Sequence, residues 1–226
     1  MLFRRPKPHK TRTGRIVLTL TAHAIDTVID IGANIGQTGQ ELRAHGYKGR
    51  ILSFEPVPSA HAALTRAAAK DKLWEVAPRC AVGAAAGEVV VQESAASDMS
   101  SVRPAEAALL TALPRTSIVA TWPTPVRTVA EIIATHCPPA ARIFVKIDTQ
   151  GYEQQVLDGC AGIWPRIAGL QMEMSLFPLY RGEALFMELT QRVLDQGLEP
   201  HLMLETTFSR TLNRQLQVDG VFYRPG

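Results

Sequence analysis

From residue 27 onward, short apolar runs alternate with amphipathic stretches of helical length. This alternation is typical of a parallel sheet whose strands are connected by covering helices. A chain of 226 residues suffices for one such packed α/β domain, and no internal repeat or second composition regime marks another. The pattern predicts core strands at 27–31, 50–54, 75–81, 142–148, 168–175, 200–205 and 218–224, and helices at 36–45, 58–70, 128–137, 151–160 and 183–196.

The alternation is interrupted between the third and fourth core strands. Residues 88–93 (EVVVQE) predict an additional strand, and residues 94–126 then follow without a strong period. A connection of this length inside a compact domain is usually functional or disordered. We expect it to be a lid over bound ligand, with Asp98, Ser100 and Ser101 beside that ligand. An ordinary alanine-rich helix followed by a surface loop is the alternative.

The first strand runs into a turn that contains glycines and opens a helix, in the sequence TVIDIGANIGQTGQEL. Such a turn lets a ligand approach the backbone near the amino end of the helix. The dinucleotide fingerprint G-x-G-x-x-G is incomplete, because Asn34 stands where its first glycine would be. An acid at the strand end makes the turn tolerant of a cationic group instead. We predict that the turn binds a cofactor through Asp30, Gly32, Ala33, Asn34, Gly36 and Gln37.

The second predicted strand ends at Glu55, which is followed by Pro56. A carboxylate at this position of an α/β sheet accepts hydrogen bonds from the ribose hydroxyls of a nucleoside cofactor. Ribose recognition combined with a turn that tolerates a cation predicts S-adenosylmethionine. It argues against NAD, because the acid at the end of the first strand would repel a pyrophosphate.

The strand RIFVKID contains a lysine whose burial would be costly without a charged partner. Strand alternation places Lys146 and Asp148 on one side, and Glu173 on the corresponding side of the strand LQMEMS. We predict a charged cluster at the carboxyl ends of these strands, where open α/β sheets bind ligands. In this cluster Asp148 or Glu173 would deprotonate an acceptor hydroxyl, Lys146 would hold both acids, and Asp148 would also contact the cofactor. A purely structural ion-pair network is the alternative.

Four segments of the chain resemble the FkbM-type S-adenosylmethionine-dependent methyltransferases: DIGANIGQ, SFEPVPSAHAAL, VKIDTQGYEQQVLDGC and LQMEMSLFPLYRG. The third segment is the most specific, and the resemblance extends from near Asp26 to the C-terminus. It implies a class I methyltransferase fold, which is a Rossmann-like, seven-stranded, mostly parallel sheet with helices on both faces and an antiparallel last strand. It also implies O-methylation of a hydroxyl on a small molecule or sugar. Many members have Glu at the position of Gln150 and Asp at that of Ala130, so the sequence departs from the family there.

The basic residues are concentrated at the start of the chain. Six of the 24 lie in the first fifteen positions, which contain no acid, so the remainder has 18 basic against 21 acidic residues. We expect residues 1–24 to be a frayed basic arm and lead-in, followed by a single domain at 25–226. An RNA ribose methyltransferase that uses this arm is one alternative function, although the arm lacks interleaved aromatic residues beyond Phe3 and nucleic acid is therefore the less favoured partner. A module that binds the cofactor without turnover is another.

Three cysteines without paired spacing predict reduced thiols in the cytoplasm and no zinc site. No apolar run approaches the roughly 18 residues that a membrane span needs. We therefore expect a cytoplasmic enzyme without a metal centre or a membrane span, acting on a small-molecule or carbohydrate hydroxyl, with a homodimer left open as its assembly.

Overall fold

The structure, a computed structural model, describes residues 7–225. In chain order its strands are β1 (Thr27–Ile31), β2 (Arg50–Phe54), β3 (Trp74–Val76), β4 (Ala81–Val82), β5 (Gly87–Ser94), β6 (Ile118–Arg127), β7 (Ile143–Ile147), β8 (Ile167–Ser175), β9 (Glu199–Glu205), β10 (Phe208–Ser209), β11 (Arg214–Gln215) and β12 (Gln217–Tyr223). Its α-helices are α1 (Arg12–Ala22), α2 (Gln37–Ala44), α3 (Pro58–Ala68), α4 (Ala107–Ala112), α5 (Val129–His136), α6 (Glu153–Asp158) and α7 (Phe186–Leu194).

The main sheet has seven strands in the order β3-β2-β1-β7-β8-β12-β9. The neighbours from β3 to β8 pair in parallel, and β12 lies antiparallel between β8 and β9. The five predicted helices are all present, each somewhat shorter than expected. The predicted class I methyltransferase fold is confirmed, and the carboxyl ends of β1, β2 and β7 meet at one edge of the sheet.

Strand alternation divides the core into two layers, one on each face of the sheet. On one face Ile29 and Val145 pack with α5, α6 and α7. On the other face Val28 and Phe144 pack with α1, α2 and α3. Asp30 and Lys146 come two positions after Val28 and Phe144, so this second face is apolar in its lower part and charged at its carboxyl edge.

The third core strand is shorter than predicted, because β3 ends at Val76 instead of continuing to residue 81. Pro78 cannot donate to a strand ladder, which explains the interruption. Residues 81–82 form the separate strand β4, which pairs with β6 in a second, three-stranded sheet.

The connection 94–126 contains more regular structure than the sequence predicted. The expected additional strand is present as β5, and it pairs antiparallel with β6 over nearly its whole length. The sequence of β6, IVATWPTPVR, contains two prolines that mask its strand pattern. They are tolerated because β4 pairs with β6 only at residues 126–127 in the described part of the chain, so the edge of β6 that faces away from β5 carries no ladder at either proline. Helix α4 comes between β5 and β6 along the chain.

Residues 12–22 form helix α1 instead of part of a frayed arm. Thr11 caps the helix, since its side-chain oxygen accepts a hydrogen bond of 3.0 Å from the backbone N–H of Gly14. Ile16, Val17 and Leu20 are buried against the sheet, at the spacing of an amphipathic helix. Of the six basic residues of the arm, Arg4 and Arg5 lie outside the described residues. No helix among residues 7–225 is long and apolar enough to cross a membrane.

Candidate active site

An open cleft lies at the carboxyl ends of β1, β2 and β7. We call it the cofactor cleft. Ten residues predicted to contact the cofactor line it: Gly32, Ala33, Asn34, Gln37, Glu55, Pro56, Asp98, Ser100, Ser101 and Asp148. Asp30 and Gly36, which were also predicted to contact the cofactor, do not line the cleft. The turn after β1, the end of β2, the loop after β7 and the start of the 94–126 connection therefore meet at one place.

The turn between β1 and α2 depends on two glycines with left-handed backbone conformations. Gly32 has φ +74°, and a Cβ atom added to it would lie 1.8 Å from the carbonyl oxygen of Asp148. Only glycine therefore allows the loops after β1 and β7 to touch. Gly36 has φ +94° and immediately precedes α2, where its conformation turns the chain into the helix. Gly32 therefore forms part of the wall of the cofactor cleft, and Gly36 sets where α2 begins beside it.

Glu55 is almost fully buried at the end of β2. Its Oε2 accepts a hydrogen bond from the backbone N–H of Asn34 and its Oε1 one from that of Val57, each 2.8 Å long. Burial raises the pKa of Glu55 to about 7, against the effect of these two hydrogen bonds. Each carboxylate oxygen has two lone pairs, so one on each remains for the hydroxyls of a ribose.

Two further observations test whether S-adenosylmethionine suits the cofactor cleft. Asn34 Oδ1 is buried without a hydrogen-bond partner in the described part of the chain. A buried acceptor of this kind is normally satisfied, and an ammonium group of the cofactor can donate to it. The wall beyond Glu55 is apolar, formed by side chains that suit the faces of an adenine ring: Phe54, Val57, Val82 and Val91. The residues present therefore fit this cofactor.

Lys146 lies beneath the cofactor cleft between two acids. Its Nζ is 3.3 Å from Asp30 Oδ1 and 3.2 Å from Asp148 Oδ2, and it donates to the carbonyl oxygen of Gly32 at 3.3 Å. The two carboxylates raise the pKa of Lys146 above its usual range in spite of its burial. Asp30 is completely buried and faces Lys146 instead of lining the cleft, so its position does not provide the direct cofactor contact that the sequence suggested.

Gln150 joins the two predicted catalytic acids, which the sequence analysis did not foresee. Its Nε2 donates to Asp148 Oδ1 at 2.7 Å and to Glu173 Oε2 at 2.6 Å, while its Oε1 accepts from the Tyr180 hydroxyl at 2.8 Å. Among residues 7–225, Lys146 and Glu173 form no ion pair or hydrogen bond with each other. They are connected through Asp148 and Gln150. One of the two positions at which the sequence departs from the family that it resembles is thus the centre of the network.

The two acids differ in access to the cofactor cleft. The Asp148 side chain is 33% exposed and lines the cleft, with one oxygen next to Lys146 and the other bound by Gln150. Glu173 lies behind Gln150 and does not line the cleft. Burial, followed by the charge of Asp148, raises the pKa of Glu173 to about 8. Of the two acids, Asp148 is therefore the one that is accessible from the cofactor cleft.

The loop after β7 is held by a second buried acid. Glu153 Oε1 accepts hydrogen bonds from the backbone N–H groups of Thr149 and Gly151, at 3.0 and 3.2 Å. The 94–126 connection reaches the same loop, because the Ser101 hydroxyl donates to the carbonyl oxygen of Gln150 at 2.5 Å. These contacts set the position of Gln150, which has the unusual left-handed φ of +55°.

Cys80, Cys137 and Cys160 are free and buried. Within residues 7–225, no group of three or more His, Cys, Asp and Glu side chains is arranged to hold a metal ion.

Comparisons with known proteins agree with this fold. The solved structure of magnesium protoporphyrin IX methyltransferase (ChlM) from Synechocystis PCC 6803 with bound SAM shares the fold, with a TM-score of 0.52 and 10% identity over 96% of this chain and 80% of that one. The methyltransferase domain of bacterial CtHen1-C gives a TM-score of 0.50 and 10% identity over 97% of this chain and all of that one. No curated protein matches the sequence significantly. Residues 30–200 match the family described as Methyltransferase FkbM domain. The chain therefore belongs to the FkbM methyltransferase family and is an S-adenosylmethionine-dependent methyltransferase.

Proposed function

We propose that this methyltransferase methylates a hydroxyl group of a small molecule or sugar, with Asp148 as the base. The observation that carries the proposal is the placement of Asp148 at the cofactor cleft. Lys146 and Gln150 each hold one of its oxygens, and a third of the side chain is open to a ligand. A carboxylate held in this way is suited to accept a proton from an alcohol.

S-adenosylmethionine supplies an activated methyl group when it is bound. The protein has to align the acceptor oxygen, exclude water and accept one proton as the new C–O bond forms. Asp148 takes that proton. Lys146 opposes the excess negative charge of Asp30 and Asp148, and Gln150 fixes the rotation of the Asp148 carboxylate.

The residues that line the cofactor cleft suggest which groups contact the cofactor. Glu55 accepts the ribose hydroxyls, and the turn with Asn34 holds the end of the cofactor that carries its amino group. Residues 94–126 form the lid, with Asp98, Ser100 and Ser101 covering the ligand. We expect amide hydrogen exchange at residues 97–102 to slow when S-adenosylhomocysteine binds; unchanged exchange there would contradict the lid.

The RNA alternative relied on a free basic arm. Arg12 instead lies in the folded helix α1 and forms an ion pair with Asp219 on β12. The folded state of α1 therefore removes much of the support for that alternative. The cytoplasm remains the compartment that we propose, because three buried cysteines without disulfides suit a reducing environment.

The test of the proposed chemistry compares two isosteric variants. Formation of S-adenosylhomocysteine is measured with a panel of sugars, phenols and aliphatic alcohols. Asp148→Asn should lower the turnover number by about 10² to 10⁴ while cofactor affinity stays within a few-fold. Glu173→Gln should have a smaller effect, since Glu173 does not line the cleft. Equal turnover of Asp148→Asn and the parent would show that the base lies elsewhere.

A further inference from the structure

A second open cavity lies between the sheet and helices α1 and α2. We call it the α1 chamber. It shares a wall with the cofactor cleft, because Gln37, Thr38, Lys146 and Asp148 line both. We propose that the α1 chamber binds the methyl acceptor and that this acceptor is an uncharged hydroxyl compound with an apolar body. The inference rests on the proposed O-methyl transfer and names the class of its substrate.

The position of Asp148 supports this assignment. Asp148 is the proposed base, and it is the acid that borders both cavities within the described residues. An acceptor in the α1 chamber with its hydroxyl at Asp148 is next to the cofactor cleft but does not compete with the cofactor for space. The methyl group can then pass from the cofactor in the cofactor cleft to the acceptor in the α1 chamber without a rearrangement of the sheet.

The lining of the α1 chamber changes from apolar to polar toward the shared wall. Its lower part is formed by apolar side chains of the helices and the sheet: Ile16, Leu20, Val28, Leu42 and Phe144. Its upper part is formed by polar and charged ones: Arg12, Thr13, Gln37, Thr38, Glu41, Lys146, Asp148, Gln171 and Asp219. An acceptor that places its hydroxyl at Asp148 leaves the rest of its structure against apolar side chains, where burial of an apolar body is favourable.

The charges of the α1 chamber disfavour an anionic acceptor. Its two cationic side chains are both occupied, Lys146 by Asp30 and Asp148, and Arg12 by Asp219. The Asp219 side chain is only 5% exposed and also accepts a hydrogen bond of 2.9 Å from Gln171 Nε2. A carboxylate or phosphate that drew Arg12 away would leave Asp219 as a buried, uncompensated charge. An uncharged acceptor leaves the pair intact.

Three contacts made by its polar side chains hold helix α1 beside the chamber. Arg12 pairs with Asp219, Thr13 donates a hydrogen bond to Glu41 of α2, and Thr19 Oγ1 accepts one of 3.0 Å from the Tyr223 hydroxyl. The N-terminal segment is in this way a wall of the proposed acceptor site, and its basic residue Arg12 contributes by neutralising Asp219.

Binding of matched probes tests the chamber without requiring turnover. Fluorine NMR follows 4-(trifluoromethyl)benzyl alcohol and 4-(trifluoromethyl)benzoate as they are added to the protein saturated with S-adenosylhomocysteine. The alcohol should bind saturably and the benzoate at least about tenfold more weakly, a difference of about 1.4 kcal/mol. Absence of saturable alcohol binding, or equal binding of both probes, overturns the proposal.

Two variants of α1 locate the bound alcohol. Ile16→Phe enlarges a side chain on the floor of the chamber and should weaken alcohol binding about tenfold, with S-adenosylhomocysteine affinity unchanged. Leu18→Phe is the matched control, because Leu18 is 47% exposed and does not line the chamber. Equal effects of the two variants on alcohol binding contradict the site.

A further pair of variants tests whether Arg12 sets the charge of the α1 chamber. Arg12→Gln leaves Asp219 without its cation, so 4-(trifluoromethyl)benzylamine should gain several-fold in affinity relative to the alcohol. Arg15→Gln, at an exposed position of α1, should leave that ratio unchanged. An unchanged ratio in Arg12→Gln overturns the role of Arg12. Probe binding that fails while alcohols are still methylated refutes the chamber alone, whereas probe binding without O-methylation refutes the proposed function alone.

Discussion

The cofactor cleft and the α1 chamber are adjacent, but they are assembled in different ways. The cofactor cleft draws mainly on five short stretches of chain, within residues 31–38, 54–57, 80–82, 97–102 and 146–152. The α1 chamber collects single side chains from two helices and four strands, between Arg12 and Asp219. A cleft built from consecutive residues can be recognised as a motif, whereas a chamber built from scattered residues exists only after the helices have packed.

The two regions also neutralise their acids differently. Glu55 at the cofactor cleft and Glu153 at the start of α6 are held by backbone N–H groups of nearby loops. In the layer beside the α1 chamber, Asp30 and Asp219 depend on the cationic side chains Lys146 and Arg12, which are distant in sequence. Disruption of the first kind should affect ligand binding, and disruption of the second kind should affect the fold as well.

The largest expected effect is that of Lys146→Met. It leaves Asp30 completely buried without a cation, and it should lower the free energy of unfolding by about 3–5 kcal/mol in urea denaturation. Lys48→Met, at an exposed position, is the control. Adding Asp30→Asn to Lys146→Met should restore part of the loss; a further loss would show that Asp30 is not the acid left unpaired.

The next effect concerns the cofactor cleft alone. Glu55→Ala removes the acceptor for two backbone N–H groups and for the ribose, and it should weaken S-adenosylmethionine binding by about 1–3 kcal/mol in calorimetry. Glu88→Ala, an exposed acid on β5, should leave binding unchanged. Binding of NAD in place of S-adenosylmethionine would contradict the assignment of the cleft.

A smaller effect should appear as a pH dependence of cofactor affinity. Burial raises the pKa of Glu55 to about 7, so Glu55 is partly protonated in the free protein near neutrality. Ribose hydroxyls favour the ionised form, and binding should therefore release protons and weaken by about tenfold between pH 8 and pH 6. Calorimetry in two buffers with different ionisation enthalpies counts the protons. Glu55→Gln should abolish their release; the same count in this variant would assign the proton to another group.

The raised pKa of Glu55 also affects the stability of the free protein, which should decrease as the pH rises whereas cofactor affinity should increase. The folded pKa of Glu55 lies above its unfolded value of 4.5, so the folded state holds more protons between pH 4.5 and 7. Glu55 therefore makes the free protein less stable as pH rises through this window. In Glu55→Gln that contribution is absent.

The smallest expected effect tests the α1 chamber from its far end. Thr11→Ala removes the cap of α1 and should cost about 1 kcal/mol of local stability. Hydrogen exchange should accelerate within residues 12–22, while S-adenosylhomocysteine affinity stays unchanged. Thr65→Ala, at an exposed position of helix α3, is a matched threonine control. A parallel loss of cofactor affinity would show that the two regions are not independent.

The differences between prediction and structure have identifiable physical causes. Two prolines concealed β6, and Pro78 shortened the third strand. Threonines and a basic start concealed α1, although the spacing of Ile16, Val17 and Leu20 was a usable signal. Asp30 was interpreted as a ligand contact because the register of β1 and β7, which pairs Asp30 with Lys146, could not be derived from either strand alone.

The hydrogen-bond partners of Gln150 could not be predicted from the sequence. It was noted for departing from its family, but its three partners lie on the loop after β7, on β8 and in the loop after β8. The side chain with which a flexible glutamine forms a hydrogen bond depends on how these loops are placed. The network of Asp148, Gln150 and Glu173 could therefore be described only in three dimensions.

The amino-acid sequence by itself determined the alternation of strands and helices, the glycine turn, the acid at the end of β2 and, through these, the fold and the cofactor. Each of these features depends on residues within one or two adjacent elements, where backbone geometry and side-chain periodicity act directly. The tertiary structure decided which acids Lys146 neutralises, where Glu173 lies and whether α1 borders a chamber beside Asp148. These depend on strand register and helix packing, because burial and charge pairing are properties of residues that meet in space.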